Sequence, residues 1–247
     1  KDDFALDVAE IEKRITPKTR MFVMVSPNNP TGAVTPPDVI RKIAELAIKH
    51  DILVIADEIY AKLIYPPHEH LSLATLPGMT ERTITLNGFS KTYAMTGWRV
   101  GYMAAPADFV EKLTEPRHTL SINTCTVSQF AALAALTGPQ DEIEATFCDY
   151  AERRDYLMAA LSDAGFSYGA PGGAFYIYTN ISATGMKAKP FCENLLRETG
   201  VMVFPGDMFG EESSDFIRIS YLQPLPVIKE AMGRINRFIK AHKGDAA

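Results

Sequence analysis

The chain has 247 residues, of which 47% are hydrophobic and 22% charged, and these proportions are ordinary for a globular protein. Its formal net charge of −5 argues against a general nucleic-acid binder, because such proteins carry a basic excess. No apolar run approaches the ~18 residues of a membrane span. The three cysteines lack the spacing of a zinc or thioredoxin motif. We therefore expect a cytoplasmic protein of one large or two modest domains, without a nucleic-acid or membrane partner.

The first elements in chain order predict a β-α-β unit. Residues 21–25 form a continuous apolar run that ends in a proline-rich turn at 26–30. A helical pattern begins near Pro36 and runs to about His50, and residues 52–55 predict a second buried strand. Strands joined through a helix of this length are expected to be parallel.

Two further strands are predicted at residues 82–86 and 99–105. The connection between them is too short for a helical crossover, so we expect the fourth strand to run antiparallel. Helical patterns follow at about 107–117, 126–137 and 142–163. After Gly165 the pattern changes to short strands, at 166–168, 174–179, 201–204 and 216–221, with helices at 189–199 and 224–242. We therefore expect a second, smaller α+β domain, with a boundary near residue 155.

Polar residues come at the ends of the predicted strands. Asn29, Asp57 and Lys91 follow the first three strands, and Arg99 begins the fourth. Ligands of open α/β sheets collect at the carboxyl ends of the parallel strands, so these four side chains are expected to converge on one edge.

Lys91 is the most informative of them, because a strand end is a rigid mount for its amine. A lysine amine becomes a nucleophile toward carbonyls when its pKa is lowered, and the Schiff base that it then forms no longer carries the charge of the free ammonium. Ser90 and Arg99 would supply the hydroxyl donor and the planar cation that bind a phosphate. A lysine beside a phosphate site indicates a pyridoxal phosphate (PLP) enzyme.

Four segments carry a family resemblance, and they follow one another in the family's order at closely similar spacing. They are Ser26-Pro-Asn-Asn-Pro-Thr-Gly32, Ala56-Asp-Glu-Ile-Tyr60, Ser90-Lys91 with Thr96-Gly-Trp-Arg99, and Phe216-Ile-Arg-Ile-Ser220. Together they resemble the class I/II aminotransferases, PLP enzymes of the aspartate aminotransferase fold (fold type I). Their sequence context is most similar to the bacterial aspartate, aromatic and broad-specificity branch.

The resemblance implies an α/β fold. Residues 1–155 would be the C-terminal part of the large PLP-binding domain, a mostly parallel sheet with one antiparallel strand and helices on both faces. Residues 156–247 would be the smaller α+β domain. It also implies transfer of an amino group between an amino acid and a 2-oxo acid by a ping-pong mechanism, in a homodimer.

Carried over to this sequence, the family's pattern assigns the catalytic role to Lys91, which would hold PLP as a Schiff base and shuttle the substrate proton. Asp57 would pair with the pyridine nitrogen, and Tyr60 and Asn29 would hydrogen-bond the phenolate oxygen of PLP. Taken singly, Asp57 could be a turn or capping residue, and Asn29 could serve only its own turn.

Ser90 and Arg99 would bind the phosphate of PLP. Arg218 would bind the α-carboxylate of the substrate, and Asn29 would contact the substrate as well. Considered alone, Arg99 is typical of an ordinary arginine at a strand edge. The alternative for Arg218 is an interdomain salt bridge. No metal site is expected, because His68-Glu69-His70 lacks the spacing of a zinc helix and predicts a loop.

The chain opens on Lys1, whereas the family has much more sequence before the motif that contains Asn29. That portion carries the family's phosphate loop and the aromatic ring that stacks on PLP. We expect a truncated chain that binds PLP weakly and transaminates poorly by itself. Two alternatives stay open: a PLP-dependent carbon–sulfur β-lyase, and a non-catalytic aminotransferase-like sensor domain of a transcription regulator.

Overall fold

The computed structural model describes residues 4–242, which divide into two compact units. The N-terminal unit consists of residues 5–27 and 34–145, and the C-terminal unit consists of residues 4, 28–33 and 146–242. The domain boundary expected near residue 155 stays a prediction. None of the helices within residues 4–242 combines the length and apolar character that a membrane crossing requires.

The N-terminal unit contains a four-stranded sheet in the order β1-β2-β3-β4. Its strands are β1 (Met21–Val25), β2 (Leu53–Asp57), β3 (Thr83–Gly88) and β4 (Gly101–Ala104). The pairs β1–β2 and β2–β3 are parallel, and β4 is antiparallel to β3. The predicted sheet with one antiparallel strand is therefore confirmed.

Four helices belong to the same unit: α1 (Val8–Arg14), α2 (Pro37–Lys49), α3 (Ala107–Ser121) and α4 (Thr126–Thr137). Helix α2 buries an apolar face because its hydrophobic residues recur at helical spacing. That face joins the strands in one core cluster made of Met24, Ile40, Ile43, Ala44, Ala47, Val54, Leu73 and Met79. The sequence pattern did not predict α1, which is only seven residues long and starts at the side-chain cap of Asp7.

Helices α3 and α4 contribute little to that core. None of the 15 residues of α3 is buried, and in α4 only Ser128 and Ala132 are. All four residues of β4 are exposed as well. Apolar side chains of this part of the unit therefore face solvent.

The second sheet has the order β5-β6-β8-β7, and all its pairs are antiparallel. Its strands are β5 (Ser167–Tyr168), β6 (Tyr176–Asn180), β7 (Phe204–Pro205) and β8 (Phe216–Ser220). The helices that follow α4 are α5 (Asp141–Asp163), α6 (Ala188–Thr199) and α7 (Leu225–His242), and the boundary between the two units falls inside α5, after residue 145. Strand β6 and the helices α6 and α7 supply most of the buried side chains of the C-terminal unit.

Several predicted bounds were wrong by a few residues, and two of them concern the strands beside Arg218 and Arg99. The strand expected at 201–204 pairs only at Phe204 and Pro205, because an apolar run predicts burial but does not supply a ladder partner. The fourth strand begins at Gly101 instead of Arg99. Arg99 has φ 52° and ψ 45°, a left-handed conformation that is incompatible with an extended strand.

Candidate active site

Asp57 is the last residue of β2 and lies between two neighbouring strands. It pairs in register with Val25 of β1 and with Leu86 of β3. Its carbonyl accepts a hydrogen bond from Ser26 N at 3.2 Å, and its side-chain Oδ1 accepts one from Ile59 N at 3.1 Å. The carboxylate is therefore fixed at the carboxyl end of a parallel strand, where the sequence predicted it.

Lys91 lies in the turn that follows β3, and that turn is built around the buried ring of Phe89. Tyr93 N and Met95 N both donate to Phe89 O at 3.3 Å, and Ala94 N donates to Lys91 O at 3.3 Å. These bonds hold the backbone of Lys91 in place. Its Nζ lies 5.9 Å from the centroid of the Tyr60 ring.

The structure therefore brings together two of the predicted residues, Lys91 and Tyr60, although they belong to separate segments. Tyr60 is 3% exposed, so packing holds its ring in a fixed position beside Lys91. A cation within ~6 Å of an aromatic centroid is attracted by the ring's negative face.

Ser90 and Arg99 lie on either side of a short 3₁₀ turn, Thr96–Trp98, in the same unit. Arg99 is exposed, and its Nη1 donates to Thr96 O at 2.9 Å. A guanidinium has five N–H donors, so this bond leaves others for an anion.

The close approach of β3 and β4 explains why the chain has glycine on both strands next to this turn. A Cβ added to Gly88 would lie 2.9 Å from the Cα of Gly101, its register partner. Only glycine permits that spacing without a shift of the backbone.

Asn29 and Arg218 form a second group, in the C-terminal unit. Arg218 lies on β8, and its Nη1 donates to Asn29 Oδ1 at 2.9 Å, across 189 positions of sequence. Its Nε is buried and has no hydrogen-bond partner. A buried donor of a permanently charged group is costly when unpaired, so an anion at this side chain would be stabilising.

Three aromatic rings surround the guanidinium of Arg218, and the sequence-based interpretation did not include them. The Arg218 Cζ lies 4.6 Å from the Tyr176 ring centroid, 4.7 Å from that of Phe204 and 4.8 Å from that of Phe209. The register explains two of them, because Phe204 lies opposite Arg218 and Tyr176 lies opposite Ser220 on the same face. The sequence alone could not place Tyr176 and Phe204 beside Arg218, because it does not show which strands pair.

The polar side chains predicted to bind the cofactor in the N-terminal unit match the polar groups of PLP. A carboxylate (Asp57) suits a protonated pyridine nitrogen, a phenol (Tyr60) suits a phenolate oxygen, and an amine (Lys91) suits an aldehyde carbon. The hydroxyl of Ser90 and the guanidinium of Arg99 suit a phosphate. The residues present therefore fit the cofactor chemically, and their individual roles stay predictions.

The amino-acid sequence matches a known family of enzymes. The sequence model of the family described as aminotransferase class I and II matches residues 1–235, and the chain belongs to that family. The resemblance deduced from the four motifs is confirmed.

Two relatives with known names are similar to this chain over nearly its whole length. The chain is 41% identical to aromatic-amino-acid aminotransferase 2 of Thermococcus litoralis, over 98% of this chain and 63% of the relative. It is 40% identical to the aspartate aminotransferase of Pyrococcus abyssi, over 98% of this chain and 63% of the relative. The chain thus spans less than two thirds of the length of these relatives.

Solved structures agree with the sequence relatives. The aromatic aminotransferase of Pyrococcus horikoshii superposes with a TM-score of 0.94 at 41% identity, over 98% of this chain and 65% of that protein. The aspartate aminotransferase of Thermus thermophilus with maleate superposes with a TM-score of 0.88 at 36% identity, over 95% of this chain and 61% of that protein. The predicted fold class is therefore confirmed.

Proposed function

We propose that this chain belongs to a PLP-dependent aminotransferase that moves an amino group between an amino acid and a 2-oxo acid in a ping-pong cycle. The observation that carries the proposal is Lys91, mounted after β3 with its amine beside the buried Tyr60 ring. Family membership supports it, as do relatives that are named aspartate and aromatic aminotransferases.

The residues of the N-terminal unit would hold the cofactor. Asp57 would accept a hydrogen bond from its ring nitrogen, Tyr60 would donate to its phenolate oxygen, and Ser90 and Arg99 would bind its phosphate. When bound, PLP supplies a protonated ring that stabilises negative charge on the substrate Cα. The amine of Lys91 would carry the proton between that Cα and the C4′ carbon of the cofactor, in one direction in the first half-reaction and in the other direction in the second.

Arg218 and Asn29 would bind the substrate. The unpaired Nε of Arg218 is a donor that a carboxylate can satisfy, and Asn29 holds the opposite side of the guanidinium through Nη1. A planar guanidinium binds a carboxylate through two parallel hydrogen bonds. The hydrogen bond to Arg218 favours a substrate role for Asn29; its expected contact with the phenolate oxygen of PLP also belongs to this proposal.

The complete enzyme is proposed to be a cytoplasmic homodimer. The 247-residue chain spans about 63% of its relatives, so it carries only part of their sequence. We therefore expect the chain by itself to bind PLP weakly and to transaminate slowly. Sedimentation analysis of the chain and of a full-length relative would compare their oligomeric states.

Borohydride trapping tests the central assignment. The chain is incubated with excess PLP, reduced, digested, and mapped by mass spectrometry. We expect the reduced adduct at Lys91, and we expect Lys91→Ala to remove it while Lys62→Ala, an exposed lysine on the neighbouring turn, leaves it intact. Equal labelling of several exposed lysines, with no preference for Lys91, would contradict the proposal.

A second measurement separates amino transfer from elimination. Glutamate or aspartate added to the PLP-loaded chain should change the cofactor absorbance and release the matching 2-oxo acid. Pyruvate release from cystathionine without amino transfer would instead identify a carbon–sulfur lyase.

A further inference from the structure

A buried carboxylate follows directly after Asp57, and the proposed mechanism does not use it. Glu58 is 8% exposed, and both of its carboxylate oxygens are engaged. Oε1 accepts a hydrogen bond from Ser72 Oγ at 2.8 Å, and Oε2 lies 3.0 Å from His70 Nε2. Glu58 therefore connects the end of β2 to residues 70–72.

His70 contributes to this connection through a single ring nitrogen. Its Nδ1 is buried and has no hydrogen-bond partner, so the contact of Nε2 with Glu58 is the hydrogen bond that holds the imidazole ring. Buried carboxylates are costly unless hydrogen bonds or a paired charge compensate them. A buried carboxylate that makes two hydrogen bonds is therefore held rigidly. Its release would leave the carboxylate, and the His70 and Ser72 groups that bind it, without hydrogen-bond partners.

The backbone of Glu58 anchors the turn that carries two predicted cofactor residues. Glu58 N donates to Leu86 O of β3 at 2.9 Å, and Glu58 O accepts from Ala61 N at 2.9 Å. Within the same turn, Ile59 N donates to Asp57 Oδ1 at 3.1 Å. Asp57 and Tyr60 thus lie on either side of a residue that is fixed through both its backbone and its side chain.

We propose that Glu58 is a positioning residue. Its carboxylate, held by His70 and Ser72, fixes the turn 57–60 so that Asp57 and Tyr60 already occupy their places before the cofactor binds. The role of those two residues rests on the proposed function. The positioning of the turn itself rests only on the contacts of Glu58. Preorganisation of this kind strengthens binding because less conformational freedom is lost when the ligand arrives.

A purely structural pair is the competing explanation, and it predicts a different pattern. If Glu58 only supported the fold, its loss would weaken the whole N-terminal unit evenly. A positioning role predicts a local effect on the turn 57–60, with the strands of the sheet unchanged.

The test compares Glu58→Ala and Glu58→Gln with a matched control. Glu198→Gln disrupts another glutamate–histidine contact, the 3.3 Å approach of Glu198 to His242, which belongs to the C-terminal unit. The first measurement is amide hydrogen exchange of the 247-residue chain without PLP. The second is the yield of borohydride trapping at Lys91 as PLP concentration rises.

We expect Glu58→Ala to accelerate exchange at Ile59 and Ala61 by roughly tenfold or more, while the Val54 amide, bonded to Arg82 O in the sheet, stays protected. Trapping at Lys91 should then require several-fold more PLP. Glu58→Gln should fall between Glu58→Ala and the parent chain, because an amide keeps one acceptor. Glu198→Gln should change neither measurement.

Uniform acceleration across the sheet, or unchanged exchange at Ile59 and Ala61, would overturn the positioning role. The two proposals fail separately. If the parent chain shows no preferred trapping at Lys91, the proposed function fails, and the exchange data alone still decide whether Glu58 fixes the turn.

Discussion

The sheets of the two units differ in how completely their strands are covered. In the C-terminal unit, the first four residues of β6 are buried, and Ile177 has no exposed surface. In the N-terminal unit, all four residues of β4 are exposed, including Tyr102 at 53%. Both strands contain large apolar side chains, and their exposure nevertheless differs.

The helices show the same difference. Helix α7 buries five residues and α6 buries four, whereas α3 buries none. On α4, the side chains of Val127, Phe130, Leu133 and Leu136 are each more than half exposed. A contiguous apolar surface of this kind is typical of an interaction face. Helices α6 and α7 of the C-terminal unit each bury an apolar face, whereas the apolar face of α4 in the N-terminal unit is exposed.

The largest expected effect contrasts two phenylalanines, one from each unit. Phe191 of α6 has no exposed surface, and its ring centroid lies 5.4 Å from that of Phe238 and 6.5 Å from that of Phe166. Phe191→Ala should lower the free energy of unfolding by about 3–5 kcal/mol, because it removes buried area and leaves a cavity. Phe130 is 68% exposed, and Phe130→Ala should change the free energy by less than ~0.5 kcal/mol.

Urea denaturation followed by circular dichroism would measure both variants. If Phe191→Ala and Phe130→Ala lowered the free energy of unfolding by similar amounts, the contrast would be contradicted. That result would mean that the α4 face is covered in the isolated chain.

The cysteines provide a smaller effect that is specific to each unit. Burial raises the pKa of the Cys192 thiol of the C-terminal unit from 9.0 to about 12. Backbone hydrogen bonds from Ser128 and Val127 lower the pKa of Cys125, which is exposed at the start of α4. Since the thiolate is the nucleophile, iodoacetamide at about pH 8 should alkylate Cys125 at least roughly tenfold faster than Cys192. Peptide mapping over time would measure the rates, and comparable rates would show that the C-terminal unit opens readily.

The same shift has a consequence for stability. The folded state holds the Cys192 proton to a higher pH than the unfolded state does, so the unfolded state binds fewer protons above about pH 9. The free energy of unfolding should therefore fall as the pH rises from about 9 toward about 12. The fall should be smaller in Cys192→Ala, and Cys125→Ser is the matched control.

The smallest effect is expected for dye binding at the α4 face. Anilinonaphthalene sulfonate fluoresces on exposed apolar surface, so the chain should bind it in the folded state. Combining Phe130→Ser with Leu133→Ser should reduce the signal, whereas Leu196→Ser, a half-exposed position of the C-terminal unit, should leave it nearly unchanged. An unchanged signal in the double variant would place the bound dye elsewhere.

The elements that the sequence predicted well are those with a strong local signal. The apolar run at 21–25 ends at a proline-rich turn and became β1 with the expected bounds. The helix pattern at 126–137 became α4 without a change. The prediction failed where the local signal was weak or ambiguous, as in the short α1 and in the apolar run at 201–203. Periodicity reports which residues are apolar, and it does not report which partner covers them.

The candidate site divides in the same way. The positions of Asp57 and Lys91 at strand ends followed from the order of strands and turns, which is local information. The left-handed backbone of Arg99 and the rings around Arg218 could not be predicted from that local information, because both depend on how strands pair.

The sequence by itself determined the family and most of the strands and helices along the chain, because motifs and apolar periodicity are encoded in neighbouring residues. The tertiary structure alone decided which side chains share hydrogen bonds, as when Arg218 meets Asn29 and Glu58 meets His70. It also decided that the apolar face of α4 stays exposed while that of α6 is buried. These outcomes depend on contacts between residues distant in sequence, and such contacts form only when the strands and helices have packed.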